Sequence, residues 1–351
     1  MKTKIAGMVL LAAVIAGAGL YALISQQNRV QVLNGYLGGE KIGLFEDEEV
    51  QDILRKKYHL ELEYSKAGSL DMVTADQEGK DYLFPSSQTA LAFYEDQQGE
   101  PAGDEIIFNT PIVLYTHRIV LDALMSEGVA GEEDGVYYAD MAALVELIRS
   151  DATWESIGLP ELYGKVSVDT TDPVKSNSGN MFAALLANVL NGGETVKEAD
   201  MEKILPDLQE IFSRLGYMET SSSDLFNQFL KMGVGAKPMI AAYESQLLEF
   251  AAENPDDYEK IREDVVMLYP SPTVWSTHVY ISLNGAGKAG AEALLDEDVQ
   301  RLAWEKHGFR TSGYETISEG GAGQVEGVAD AVTRVTDVPD YPAMKGIKEG
   351  L

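Results

Sequence analysis

An α/β fold on an open sheet, with chain enough for two domains and an apolar export segment ahead of it, is what this sequence predicts. Three observations carry that reading. Short β-branched or apolar runs alternate with longer segments whose apolar residues recur at helical spacing. The short runs end in clusters of Gly, Ser, Thr and Asn that open the next helix, and in an open parallel α/β sheet such loops gather on one edge, where ligands bind. The 351 residues, 45% of them hydrophobic, suffice to bury two cores.

In chain order, Met1-Lys2-Thr3-Lys4 is basic, and Ile5 to Ile24 is an unbroken run of apolar and small residues that gives way to Ser25-Gln26-Gln27-Asn28-Arg29. This is an export signal, and Ala16-Gly17-Ala18 has the form of a signal-peptidase site. The full run also matches the roughly 20 residues that span a bilayer, so an uncleaved anchor with the globular part outside fits equally well. The first strand is Val30 to Leu33, followed by Asn34-Gly35 and Gly38-Gly39; Asp47 to Tyr58 is helical, with Val50, Ile53 and Leu54 on one face. Leu60 to Tyr64 is the second strand and ends in Ser65-Lys66-Ala67-Gly68-Ser69. Tyr82-Leu83-Phe84 is the third and ends in Pro85-Ser86-Ser87-Gln88-Thr89.

The middle follows the same grammar. After Thr110-Pro111, Ile112 to Tyr115 is a strand; Ile119 to Met125 and Ala139 to Ser150 are helices, the second with Met141, Leu144, Val145 and Ile148 on one face. Lys165 to Asp169 reads as a strand and Met181 to Leu190 as a helix. Asp200 to Leu215 is helical, Ser221-Ser222-Ser223-Asp224 caps a helix from Leu225 to Met232, and Pro238 to Ala242 leads to Tyr243-Glu244-Ser245. Val265 to Tyr269 and Val279 to Leu283 are strands, Gly290 to His307 is one long helix, and the tail from Ser318 is Gly-rich and weakly patterned.

Composition excludes several functions. With 27 Lys plus Arg against 57 Asp plus Glu, the formal charge of −30 repels nucleic acid and anionic lipid headgroups; spread along the chain, it reads as a solvated acidic surface. There is no cysteine, hence no disulfide, no thiolate metal ligand and no lipid-bearing cysteine. The four histidines, His59, His117, His278 and His307, do not pair at metal spacing, and neither a metal nor a cofactor is expected. Gly285-Ala286-Gly287-Lys288-Ala289-Gly290 matches a dinucleotide-binding turn, but no second strand with an acidic end follows it, and Ala289 stands where a P-loop needs Ser or Thr. No G-x-S-x-G elbow is present, and nothing points to an enzyme.

One stretch concentrates small polar groups: "TTDPVKSNSGNMFAALLAN", residues 170–188, where threonines, Asp-Pro and two serines precede an apolar helix. Such residues cap helices without any ligand. They also build an anion cradle at a helix N-terminus. Both readings stay open at this level.

The order of these segments resembles bacterial extracellular solute-binding proteins of the type 2 periplasmic-binding-protein fold, in the branch that includes sulfate-, phosphate- and molybdate-binding members. The carriers are "VQVLNGYLGGEK", "YSKAGSLDM", "DYLFPSSQTA", "NTPIVLYTH", the stretch from Thr170, "MIAAYESQLLEF", "LYPSPTVWSTHVYISLN" and "LLDEDVQRLAWEKHGFRT". The resemblance spans about Val30 to Gly313. It implies two α/β lobes, each a mixed sheet flanked by helices, with ligand held in the cleft between them. Residues 1–28 would be a signal peptide or transmembrane anchor, 29–113 with 275–351 a discontinuous first lobe, and 114–274 the second.

Carried over residue by residue, the resemblance puts Ser176, Ser178, Gly179 and Asn180 at the ligand from the second lobe. It adds Gly39, Gly68, Ser69, Ser86 and Ser87 from the first, and Tyr243, Glu244 and Thr273 from the return segments. The implied function is capture of a small-molecule or inorganic anion ligand for delivery to an ABC-type membrane permease, without catalysis. Lys41 and Lys66 have no fixed counterparts in the branch, and cleft carboxylates such as Asp71 or Glu244 would suit a cationic or hydroxylated ligand instead. The alternative role on the same fold is an extracellular sensor or scaffold anchored through residues 5–24.

Overall fold

The computed structural model describes residues 29–311 and 325–351. The apolar run 5–24, with its cleavage-type site, lies outside the described residues, as does the start of the Gly-rich tail. Among the described residues no helix is long and apolar enough to cross a membrane.

The strand-then-loop grammar of the first segment folds as it reads. Strand β1 (Gln31–Leu37) is flanked by β2 (Leu60–Lys66) and β3 (Tyr82–Phe84), both parallel to it. Helices α1 (Ile42–Glu46), α2 (Glu48–Ile53), α3 (Asp71–Thr74) and α4 (Gln88–Gln98) follow these strands, and the Asp47 carboxylate caps α2 through the amides of Glu49 and Val50. Beyond them the pairings are antiparallel, apart from one parallel pair near the far edge. With β4 (Gly103–His117), β5 (Ala130–Glu133), β6 (Val136–Asp140), β7 (Met239–Tyr243), β8 (Val265–Ser271) and β9 (Trp275–Ser282), the nine strands run in the order β2-β1-β3-β9-β4-β8-β6-β5, with β7 also paired to β4, so the sheet is mixed.

β4 (Gly103–His117) joins the two ends of this sheet. It is far longer than the expected Ile112 to Tyr115, because Gly103 to Glu105 are polar and half-exposed or exposed and give no apolar signal. Gly103 to Pro111 pair with β9 (Trp275–Ser282); Ile112 to His117 pair with β7 (Met239–Tyr243) and β8 (Val265–Ser271). Pro111 sits where β4 exchanges partners, a place where a missing N–H is tolerated.

Separate cores form on the two portions. Leu33, Leu37, Phe84, Phe108, Tyr280 and Phe309 pack on one face of the β1–β3–β9 end, and Met72, Leu83, Val279 and Ile281 on the other. At the other end period-two alternation sends Ile112 and Leu114 to one face and Val113 and Tyr115 to the opposite one. Each such fully buried side chain contributes about 1.5–3 kcal/mol.

The remaining helices are α5 (Arg118–Ser126), α6 (Met141–Arg149), α7 (Asn177–Leu190), α8 (Met201–Ser213), α9 (Ser222–Met232), α10 (Glu244–Glu253), α11 (Pro255–Ile261), α12 (Gly285–Leu294), α13 (Glu297–His307) and α14 (Tyr341–Gly350). On α6 the expected face of Met141, Leu144, Val145 and Ile148 is buried. Lys165 to Asp169 is not a strand: it makes single bridges at Lys165 and Asp169 only. Ala130–Glu133 (β5) and Val136–Asp140 (β6) form a hairpin whose turn, Asp134-Gly135, takes positive φ at both residues, the conformation of a tight two-residue turn.

The expected long helix from Gly290 is two helices, because the Asp296 carboxylate caps a new start by accepting from Asp298 N at 3.0 Å. Two glycines of the dinucleotide-like turn are packing residues: a Cβ on Gly287 would meet the Asp81 carbonyl at 2.2 Å, and one on Gly290 the Tyr280 hydroxyl at 2.2 Å, whereas Gly285 faces open space. The tail does not dangle. Its residues 334–336 bond to both sides of Thr273, then α14 begins at an Asp340 cap and buries Ala343, Met344 and Ile347 in the core shared with α7 and α8. Tyr341 at its start stacks on Phe93 of α4, with centroids 5.7 Å apart.

Candidate functional site

A cavity of about 450 Å³ opens between the loops that follow β1 and β2 and the starts of α7 and α9. Gly38, Gly39 and Glu40 line it from the first loop, and Lys66 to Ser69 with Asp71 from the second. Lys175, Ser176 and Asn177 face it at α7, Thr220 to Ser222 at α9, and Tyr243 at the end of β7.

Both helix starts are built alike. Ser176 and Ser221 hold extended N-cap conformations, and neither hydroxyl accepts the usual capping bond. The first intrahelical bonds are Asn180 N to Ser176 O and Leu225 N to Ser221 O, so the amides of residues 177–179 and 222–224 have no acceptor within their own helices. Two positive helix ends thus meet at one cavity. Lys66 reaches across it, with Nζ 3.4 Å from Ser221 Oγ, and Lys175 is exposed beside it, 3.3 Å from Asp172.

Behind the first loop lies a buried polar cluster. Lys41 is fully buried and donates to Glu40, to Ser86 Oγ at 2.7 Å and to His278 Nδ1 at 3.2 Å, with Phe84 under its ammonium at 4.8 Å. Ser86 donates to Glu40 as well. Burial by itself would raise the Glu40 carboxyl, but the Lys41 charge, the neighbouring His278 and the hydrogen bonds from Lys41 and Ser86 outweigh it and hold the group at about 2. Burial pushes the Lys41 ammonium down, against the pull of Glu40. Burial, then Lys41, keeps His278 neutral with its Nδ1 free to accept. Glu40 is therefore an anionic acceptor fixed in the cavity wall.

The expected site residues separate into three groups. Gly39, Gly68, Ser69, Ser176 and Tyr243 line the cavity. Ser86, Ser178, Gly179 and Asn180 stand behind its wall. Ser69 Oγ accepts from Ser86 N at 3.0 Å, Ser178 is buried against Thr171 at 2.8 Å and Ser176 at 3.2 Å, and Asn180 is buried one turn inside α7. Gly179 is glycine because a Cβ there would lie 2.1 Å from the Thr171 carbonyl oxygen.

Ser87, Glu244 and Thr273 are engaged elsewhere. Ser87 caps α4 through Thr89 N at 3.0 Å and faces a separate cavity of about 220 Å³. Glu244 is fully buried, accepts two bonds of 2.7 Å from the Arg310 guanidinium and one from Tyr269, and is not part of the lining. Thr273 donates to the Ile112 carbonyl at 2.5 Å.

Sequence reasoning missed Glu40, Asn177 and the cavity-lining position of Ser221 and Ser222. Asn177 Nδ2 joins three elements, donating to the Ser86 carbonyl at 2.9 Å, Tyr243 Oη at 3.0 Å and Ser276 Oγ at 3.3 Å. The available signal was position: each missed residue adjoins a strand-end glycine loop or a helix cap already singled out. Separately, Glu249, Glu253 and His307 bring one ligand-type atom each within 4.8 Å of one another, and His307 Nδ1 is already bonded to Glu249 at 2.8 Å.

No protein-family model and no curated protein matches the chain. Solved structures do. The sulfate-binding protein SubI of Mycobacterium tuberculosis is similar at a TM-score of 0.54 and 13% identity, over 91% of this chain and 98% of that one. The periplasmic binding protein AfuA of Actinobacillus pleuropneumoniae, with exogenous fructose-6-phosphate bound, gives 0.54 and 13% over 92% and 94%. A two-component system protein that mediates signal transduction gives 0.54 and 12% over 89% and 95%. The chain has the fold of the periplasmic substrate-binding proteins of ABC transporters.

Proposed function

We propose that this protein is an exported solute-binding protein that captures a small polar anion in the cavity between two lobes and passes it, chemically unchanged, to an ABC-type membrane permease. The carrying observation is that two helix starts without side-chain caps and two lysines converge on one cavity. The exchange of partners along β4 and the return between β8 and β9 support lobes dividing near residues 111–114 and 272–275. The burial of Ala343, Met344 and Ile347 supports counting α14 with the second lobe. Residues 1–28 serve export in this reading and, if left uncleaved, membrane attachment. Ligand held by both lobes favours the closed arrangement by its differential affinity.

The test is thermal unfolding of the full-length chain with sulfate, phosphate, phosphorylated sugars, amino acids and polyamines. A ligand at 100 times its Kd adds about 2.7 kcal/mol. An upward shift with anions alone is expected; a shift with polyamines and none with anions would overturn the anion reading. A sensor role on the same fold is favoured by one observation, the similarity to a two-component system protein. Co-purification with a permease separates the two roles.

A further inference from the structure

We infer that the ligand of this cavity is a small hydroxylated organic anion, with a phosphoryl-type head and a polyol body, rather than a bare inorganic oxyanion. The inference rests on the anion-binding reading above and narrows it.

Size is the first argument. A five-atom oxyanion takes about the space of three waters, or roughly 90 Å³ at ≈ 30 Å³ each. The cavity holds about 450 Å³, so such an ion leaves most of it to be filled by something else.

Charge is the second. Besides Lys66, Lys175 and the helix starts, the same lining carries two carboxylates, Glu40 and Asp71. Glu40 is held ionised by the buried Lys41, with Lys41 and Ser86 both donating to its Oε1. A carboxylate only accepts hydrogen bonds. Facing a fully deprotonated oxyanion, both would be repelled; facing hydroxyl groups, both are satisfied. The same lining thus offers groups that attract negative charge and acceptors that require donors, and a single ligand meets both demands if it joins an anionic head to a hydroxylated body. The buried Lys41 is a costly device for an idle carboxylate, since ions removed from water must be well paired to be kept. It acts as a positioning residue, keeping Glu40 charged and fixed.

The experiment is isothermal titration of the full-length chain with four probes: glucose 6-phosphate, inorganic phosphate, sulfate and glucose. Glucose 6-phosphate is expected to bind at least tenfold more tightly than each of the others. Two variants remove the acceptors separately: Asp71→Asn, at an exposed position, and the paired change Glu40→Gln with Lys41→Met, which leaves no unpaired buried charge. Each is expected to cut the advantage of glucose 6-phosphate over phosphate about tenfold while leaving phosphate affinity equal or higher. Phosphate or sulfate binding as tightly as glucose 6-phosphate would overturn the inference and leave the anion reading standing, as would an unchanged ratio in both variants. If no anion of either kind binds, the anion reading falls with it.

Discussion

Asn177 Nδ2 stands 2.9 Å from the Ser86 carbonyl oxygen, so the first turn of α7 is tied to the end of β3. The same group reaches Tyr243 and Ser276, and no other side chain at the cavity edge spans as many elements among the hydrogen bonds described above. Asn177→Ala removes this donor while the Ser86 carbonyl keeps the Ser276 hydroxyl at 2.6 Å, so the loss is about 1 kcal/mol. Denaturant midpoints should record that loss, and titration with the best anion from the thermal screen should show at least a tenfold weaker Kd.

Gly68 and the Lys175 backbone meet across the cavity mouth. A Cβ on Gly68 would stand 2.7 Å from the Lys175 carbonyl oxygen, a backbone atom that cannot swing aside. Gly68→Ala should therefore hold the two sides apart, weakening anion affinity about tenfold while the ligand-free thermal midpoint stays within about 1 °C, under the roughly 2–4 °C that 1 kcal/mol produces in larger domains. A large drop in the ligand-free midpoint with unchanged affinity would show that the glycine serves the fold alone.

Ser176 and Ser178 separate by position. Ser178 is sealed behind the wall and bonded to Thr171, whereas Ser176 lines the cavity. Ser178→Ala should lower stability by about 1 kcal/mol with affinity changed less than about twofold, and Ser176→Ala should show the reverse pattern. Paired unfolding and titration measurements on both variants decide it.

The Glu40 carboxyl titrates at about 2 in the folded chain against an ordinary 4.5. A depressed carboxylate stabilises the fold fully above its unfolded value and loses that contribution as pH falls through the folded one. The window is therefore about pH 4.5 to 2, and the contribution is on the order of 3 kcal/mol. Asp47 and Asp296, also lowered, act in the same direction and are common to both proteins, so the difference between the wild type and the Glu40→Gln, Lys41→Met variant reports the Glu40, Lys41 and His278 cluster as a unit. The difference in unfolding free energy between the two proteins should shrink as pH falls below about 4.5 and level off near pH 2.

The parallel β1–β3 end was legible because each strand there is a local apolar run closed by its own glycine or serine loop. The loops after β1 and β2 and the start of α7 followed from the same grammar, and so five expected residues do line the cavity. What sequence could not show is pairing at a distance. Glu40 and Lys41 take their meaning from His278, and Glu244 from Arg310; no local pattern announces either set. Ser86 and Ser87 are neighbours with opposite assignments, because in an extended segment adjacent side chains point to opposite sides. The β5–β6 hairpin and α14 were readable: Asp134-Gly135 is a hairpin-turn dipeptide and Asp340 with Pro342 a helix start.

The C-terminal helix has a consequence for how the chain is made. Its Met344 and Ile347 complete a core that also holds Leu185 and Leu208, and Tyr341 closes onto Phe93. Likewise β3 must wait for β9, since Tyr82 pairs with Ser282. Contacts of such long sequence separation form slowly and late. The core that holds Leu185 and Leu208 is therefore complete only when Met344 and Ile347 join it, and the core of the β1–β3–β9 end only when Phe309 does.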